Sequence, residues 1–184
     1  TSQPTSKRIG GDLVVGNNDQ VFYRGNDGLM QTYYWNGTWN HAHVDVSTSG
    51  FPISSNLASI AIGENNELFY RGTDNKLHHM FWDPSHPDKF WNGWVHEILD
   101  DIAPTGPATA WKVAGDIVVG HNNQVFYRGN DGRLQTYYYN SSGWNHDWVG
   151  SASSSNFIDV ANGSMAINED NNVFYRDQTS DYLK

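Results

Sequence analysis

The chain has 184 residues, 38% hydrophobic and 17% charged, enough to bury one core, and a single domain over residues 1–184 is expected. With 11 basic against 20 acidic residues its formal net charge is −9, so the basic surface that neutralises nucleic-acid phosphates is missing; no apolar run approaches the roughly 18 residues of a membrane span, no basic-then-apolar leader opens the chain, and neither nucleic acid nor membrane insertion is expected. The absence of Cys removes disulfides, thiol catalysis and zinc–thiolate sites, and leaves the compartment open, secretion included.

In chain order, Gly11-Asp12-Leu13-Val14-Val15 is a short apolar β run, followed by the polar turn Asn17-Asn18-Asp19 and a second strand around Val21-Phe22-Tyr23-Arg24. Asn26-Asp27-Gly28 supplies the positive-φ positions of a tight hairpin into a third strand, Met30 to Trp35, and Asn36-Gly37 makes the next hairpin into a fourth, Trp39 to Val44. The same order then returns. Phe22 of the Phe-Tyr-Arg segment recurs as Phe69, Phe126 and Phe174, separated by 47, 57 and 48 residues. Extra residues of the second period fall at Asp83 to Phe90 and Asp100 to Trp111, lengthening loops and leaving strands untouched. A period near 50 marks a repeat architecture in which each copy stacks on its neighbours.

Strands two and three are apolar or aromatic at successive positions, Val21-Phe22-Tyr23 and Tyr33-Tyr34-Trp35, so both faces want burial. A blade between two blades provides that, whereas a sandwich expects clean in-and-out alternation. The expected fold is therefore all-β: a β-propeller of four-stranded antiparallel blades at about 11–46, 57–99 and 113–149, with a partial blade at 163–184. About three and a half blades per chain leave open edges and bare apolar faces. Completion of the ring by a homodimer or other homo-oligomer is expected.

Val125-Phe126-Tyr127-Arg128-Gly129-Asn130-Asp131-Gly132, continuing through Leu134-Gln135-Thr136-Tyr137-Tyr138 and followed by Gly143-Trp144-Asn145-His146-Asp147-Trp148, resembles the Photorhabdus-type β-propeller lectins, the PLL family. The resemblance runs through all four copies. The second departs at Thr73-Asp74-Asn75 and His78-His79-Met80, and the fourth at Asp177. It implies a seven-bladed ring that binds fucose-type and related sugars between adjacent blades.

Trp-x-His recurs as Trp39-Asn40-His41, Trp94-Val95-His96 and Trp144-Asn145-His146, each opening the fourth strand. Period-two geometry puts Trp and His on one face, an aromatic plate beside a hydrogen-bonding group. Sugars stack their C–H faces on such plates while their hydroxyls need oriented donors and acceptors. Trp39, His41, Trp94, His96, Trp144 and His146, with Asn40 and Asn145, are the candidate ligand-binding residues; inter-blade filler and satisfied core histidines are the alternative reading. Trp35, Trp82 and Tyr139 form a second aromatic series for which packing is expected, and Gln31 and Gln135 could orient hydroxyls.

The arginines Arg24, Arg71, Arg128 and Arg176 occupy equivalent places and are expected to bridge between blades. The acidic residues are mostly hairpin Asp, and Glu64, Glu67, Glu97 and Glu169 are the only glutamates. No carboxylate pair, nucleophile elbow or phosphate loop stands out. His41-Ala42-His43 lacks a third metal ligand, and no cofactor or metal is implied. Near-identical residue sets once per blade suit multivalent binding of fucose-type or galactose-type glycans without catalysis, with a glycosidase using the central channel or a protein-binding scaffold as rivals.

Overall fold

A computed structural model describes residues 8–44, 52–54, 60–90, 92–102, 112–150, 158–180 and 182–184. Most of the connections at 47–56, 100–111 and 151–162 lies outside them.

The first sheet holds β1 (Ile9–Val15), β2 (Val21–Gly25), β3 (Met30–Trp35) and β4 (Trp39–His43). The second holds β5 (Ile60–Ile62), β6 (Leu68–Arg71), β7 (Leu77–Trp82) and β8 (Trp94–Ile98). The third holds β9 (Val113–Val119), β10 (Val125–Gly129), β11 (Leu134–Asn140) and β12 (Gly143–Trp148). A two-stranded sheet of β13 (Val160–Ile167) and β14 (Val173–Asp177) follows. All pairings join sequential strands antiparallel, because each connection that links them within a sheet is a hairpin or a tight turn. Among the described residues, helix is confined to three-residue turns and one turn at Leu99–Ile102.

Register assigns each sheet a forward and a rear face. On the forward face of the first sheet stand Val14, Phe22, Thr32 and Ala42; on the rear face stand Val15, Val21, Tyr33 and His41. The hydrophobic clusters form between sheets. Phe22 and Met30 of the first sheet join Ile60, Leu68, Tyr70, Met80 and Trp94 of the second. Ala61 and Phe69 of the second join Ile117, Val125, Tyr127 and Tyr137 of the third, and Phe126 of the third meets Met165, Val173 and Tyr175 of the last. In the second and third sheets a side chain on either face thus finds a neighbouring sheet, which is why β6 and β10 carry apolar residues at successive positions. Burying each Phe contributes about 1.5–3 kcal/mol, and the blade stack follows from that demand.

The turns between the first two strands lock neighbouring sheets together. Asn66 Oδ1 accepts from the backbone N–H of Asn17, Asn123 Oδ1 from that of Glu64, and Asn171 Oδ1 from that of His121, each at 2.6 Å. Asn66, Asn123 and Asn171 reach across from left-handed backbone, φ 63°, 56° and 61°, a conformation asparagine tolerates. Gly16, Gly63 and Gly120 open these turns because a Cβ there would strike the incoming asparagine.

Candidate functional site

The outer hairpin of each four-stranded sheet begins with a directly opposed aromatic pair: Trp35 with Trp39, Trp82 with Trp94, Tyr139 with Trp144. In the first and third sheets the rings meet edge to face, with centroids 5.6 and 5.5 Å apart. Trp35, Trp82 and Tyr139 are 56%, 59% and 65% exposed, which corrects their expected role as packing residues. They sit at the outer end of the third strand, beyond the reach of the neighbouring sheet.

Trp94 and Trp144 instead turn back onto the preceding sheet. Trp94 is 8% exposed and meets Phe22 edge-on at 5.8 Å; Trp144 meets Phe69 at 6.0 Å and His79 at 5.2 Å. Trp39 belongs to the same series and is 59% exposed. Asn40 and Asn145 lie on the opposite face from the Trp and His beside them, so each Trp-Asn-His triplet is divided between two grooves. Both amides also bond within their own hairpins, Asn40 Nδ2 to Thr38 O and Asn145 Nδ2 to Gly143 O, each at 2.7 Å.

The histidines stand deeper. Asp131 caps its hairpin by accepting from Arg133 N and also accepts from Gln135 Nε2 at 2.9 Å, and Gln135 Oε1 lies 2.8 Å from His146 Nε2. In the second sheet His78 replaces the glutamine, 3.0 Å from Asp74 and 2.9 Å from His96. In the first sheet Gln31 bridges Asp27 and His43, while His41 lies against Tyr33 at 5.0 Å. Burial pushes His96 down to about 3 and His146 down to about 4, so both rings are neutral at pH 7. Gln31 and Gln135 are fully buried in these strings, which corrects the expectation that they face a ligand.

A further cluster sits on the forward face of the second sheet, where the sequence drew no attention to it. His79 is buried between Glu67 and Glu97, at 2.9 and 3.2 Å, and stacks with Phe69 and Phe81 at 4.6 and 5.0 Å. Burial lowers its pKa, but hydrogen bonds to the two carboxylates outweigh this and hold it above the ordinary value. The hydrogen bond to His79 holds Glu97 below its ordinary value, and the Trp144 side chain adds to this from the third sheet. The period-two spacing of Glu67 and Phe69, and of His79 and Phe81, is the signal that could have placed these side chains on one face.

Two arginines bridge to the following sheet, as expected: Arg24 donates to Ile53 O at 3.0 Å and Arg128 to Val160 O at 2.6 Å, while Arg24 also donates to Gly10 O of its own sheet at 2.8 Å. Arg71 departs from that expectation and donates to Asn75 Oδ1 of its own hairpin at 3.0 Å. A cavity of about 590 Å³ opens where the interlocking turns converge, lined by Ile62, Val119 and Ile167 with Glu64, His121 and Glu169 around them. Glu64 pairs with His121 at 2.8 Å and accepts from Asn122 N. His41 and His43 have ring centroids 5.7 Å apart, and among the described residues no group of three His, Asp or Glu is placed to hold a metal ion.

No protein-family model and no curated protein matches the chain. Among solved structures it is similar to the SapL1 lectin in complex with alpha methyl fucoside, at 19% identity and TM-score 0.50, over 95% of this chain and 61% of that one. It is also similar, at 17% identity and TM-score 0.48, to AofleA from Arthrobotrys oligospora, over 91% of this chain and 50% of that one. The fucose-specific lectin from Aleuria aurantia gives the same identity and score, over 89% of this chain and 50% of that one. The chain thus spans about half to three fifths of the length of these structures. The strand order, the face-to-face packing and the likeness to the SapL1 lectin establish the fold as that of a β-propeller built of four-stranded antiparallel blades.

Proposed function

We propose that this protein is a non-catalytic lectin that binds fucose-type or galactose-type glycans at several grooves between blades. The observation that carries the reading is the opposed aromatic pair on the outer hairpin of all three four-stranded blades, with the ring of the third strand exposed each time and, in the first blade, both rings exposed. An exposed ring at a rim costs burial and gains nothing for the fold, whereas it offers the apolar face on which a pyranose stacks. Trp39, Trp94 and Trp144 form the inner walls, and Trp35, Trp82 and Tyr139 the outer ones. Asn40 and Asn145 present their amides to the groove on the other face of the strand, and His41, His96 and His146 support the walls from beneath.

The motif at Val125 to Tyr138 supports the same reading through its resemblance to the PLL family. The fold neighbour carrying alpha methyl fucoside supplies the first monosaccharide to try. Repetition favours avidity, since weak sites on a rigid frame gain from simultaneous engagement.

A glycan array followed by calorimetry tests the proposal. Monosaccharide affinity is expected in the millimolar-to-micromolar range, with multivalent display binding about 10²–10⁴-fold tighter. A dark array, with no heat from any monosaccharide, would refute the lectin. Turnover of a glycoside would replace it by an enzyme acting in the cavity where the interlocking turns converge.

A further inference from the structure

We infer that Glu97 is a positioning residue for the groove between the second and third blades: its carboxylate fixes the orientation of the Trp144 ring, the wall that the lectin reading assigns to a sugar. Four rings form a row on the forward face of the second blade. Phe69, His79 and Phe81 stack at 4.6 and 5.0 Å, and His86 of the long outer loop closes the row edge-on to Phe81 at 6.0 Å. Trp144 meets this row from the third blade, inclined at 78° to Phe69 and 73° to His79. A ring that packs through its edge can still turn about its side-chain bonds. What stops it is a partner for the indole N–H, which needs an acceptor once it leaves bulk water. Glu97 accepts from the Trp144 side chain. The carboxylate is itself held, because His79 Nδ1 lies 3.2 Å from Glu97 Oε2 while His79 Nε2 lies 2.9 Å from Glu67 Oε2. A polar string from Glu67 through His79 and Glu97 thus ends on the aromatic wall of the next blade.

The groove between the first and second blades fixes its wall by other means. Trp94, the counterpart of Trp144, is 8% exposed and packs edge-on against Phe22 at 5.8 Å, with Thr32 and Ala42 in the places of His79 and Glu97. Burial immobilises Trp94 and removes the surface a ligand would use. Trp144 is only half-buried, so Glu97 immobilises a ring that keeps surface for a ligand. A charge-assisted hydrogen bond suits the task because it is stronger than a neutral one, and a wall ordered beforehand spares the ordering cost at binding.

The sugar-free test uses the full 184-residue chain with its eight tryptophans labelled with nitrogen-15. The Nε1–H resonance of Trp144 is the one missing from Trp144→Phe. In Glu97→Ala it should move upfield and exchange its hydrogen about tenfold faster, whereas Glu97→Gln, which keeps an acceptor, should preserve most of both. The triple variant Glu67→Gln, His79→Thr, Glu97→Ala takes the residues found in the first blade at Gln20, Thr32 and Ala42, strands no buried charge, and should show the same change as Glu97→Ala. In calorimetry with alpha methyl fucoside, Trp144→Ala and Glu97→Ala should each weaken this groove about tenfold, and the double variant should lose no more than Trp144→Ala alone. An unmoved Trp144 resonance in Glu97→Ala and the triple variant, or additive losses in the double variant, would overturn the positioning role. A wild-type chain silent towards the fucoside, with the resonance shifted in the variants as described, would refute binding of that sugar and uphold the hold of Glu97 on Trp144.

Discussion

The same three positions are filled in two chemically opposite ways. On the forward face of the first and third blades, Gln20 donates to Thr32 Oγ1 at 3.1 Å and Gln124 to Thr136 Oγ1 at 3.2 Å, with Ala42 and Asp147 completing the row. In the second blade these positions hold Glu67, His79 and Glu97. The neutral pairs need nothing from pH, whereas the bonds of the buried His79 ring depend on the ionisation of its two carboxylates, which hold its pKa above the ordinary value. A propeller junction tolerates either because the flanking Phe and the facing blade supply most of the burial. What differs is the penalty for breaking it.

The largest expected effect separates the two solutions directly. His79→Ala leaves two carboxylates facing each other in an aromatic pocket and should cost about 3–5 kcal/mol in urea denaturation, against about 1 kcal/mol for Thr136→Ala, which loses one neutral hydrogen bond. Grafting the neutral solution by Glu67→Gln with His79→Thr should recover most of the loss. Equal costs for the two single variants would show that the charged cluster is solvated and ordinary.

Acid acts next. Burial lowers His78, His96 and His146 from 6.5, so the unfolded chain takes up protons that these folded rings refuse until about pH 4 at His146 and about pH 3 at His96. Their contribution to stability is therefore lost as pH falls below 6.5. His79 works in the opposite sense: its value is raised, so its contribution is present below 6.5 and fades as pH rises through the folded value. Melting temperature should fall from pH 6.5 to pH 4, and His146→Gln should flatten that slope, whereas His79→Thr should flatten the alkaline side instead.

A smaller effect concerns the tie between the second and third blades, where Tyr137 OH donates to Asp100 at 2.8 Å. Burial raises Asp100 to about 6, so its stabilising contribution is complete below its ordinary 3.8 and lost as pH rises through 6. Asp100→Asn keeps an acceptor for Tyr137 without the buried charge. It should stabilise the chain by about 1–3 kcal/mol at pH 8 and change nothing at pH 3, as thermal melts at both pH values will show.

On stability the smallest effect lies at the rim. Trp82→Ala and Tyr139→Ala should stay within about 0.5 kcal/mol of wild type, while Trp94→Ala, which empties the space beside Phe22, should cost about 3–5 kcal/mol. In calorimetry Tyr139→Ala should still weaken sugar binding at its own groove. Unchanged sugar affinity in both rim variants would move the binding residues away from the outer hairpins.

The strands, their order and the blade architecture were legible in the sequence because they depend on local chemistry. Asn and Gly mark the turns, Asp27 and Asp131 cap the hairpins, and the return of Phe22 as Phe69 and Phe126 sets the period. Which aromatic faces water was not legible, since Trp82 and Trp94 look alike in sequence and differ only in whether a neighbouring blade reaches them. The two series come apart in the second blade, where Trp82 is exposed and Trp94 is buried. Neither could the period-two pattern alone distinguish a histidine offered to a ligand from His96 and His146, which end a string running down from the hairpin aspartate. The ionic cluster at His79 escaped notice because Glu67 and Glu97 lie thirty residues apart and meet only through β7. Sequence determined the repeating unit and its strand order, because turn chemistry and period-two burial are local; the stacking of one unit on the next decided which residues each groove contains.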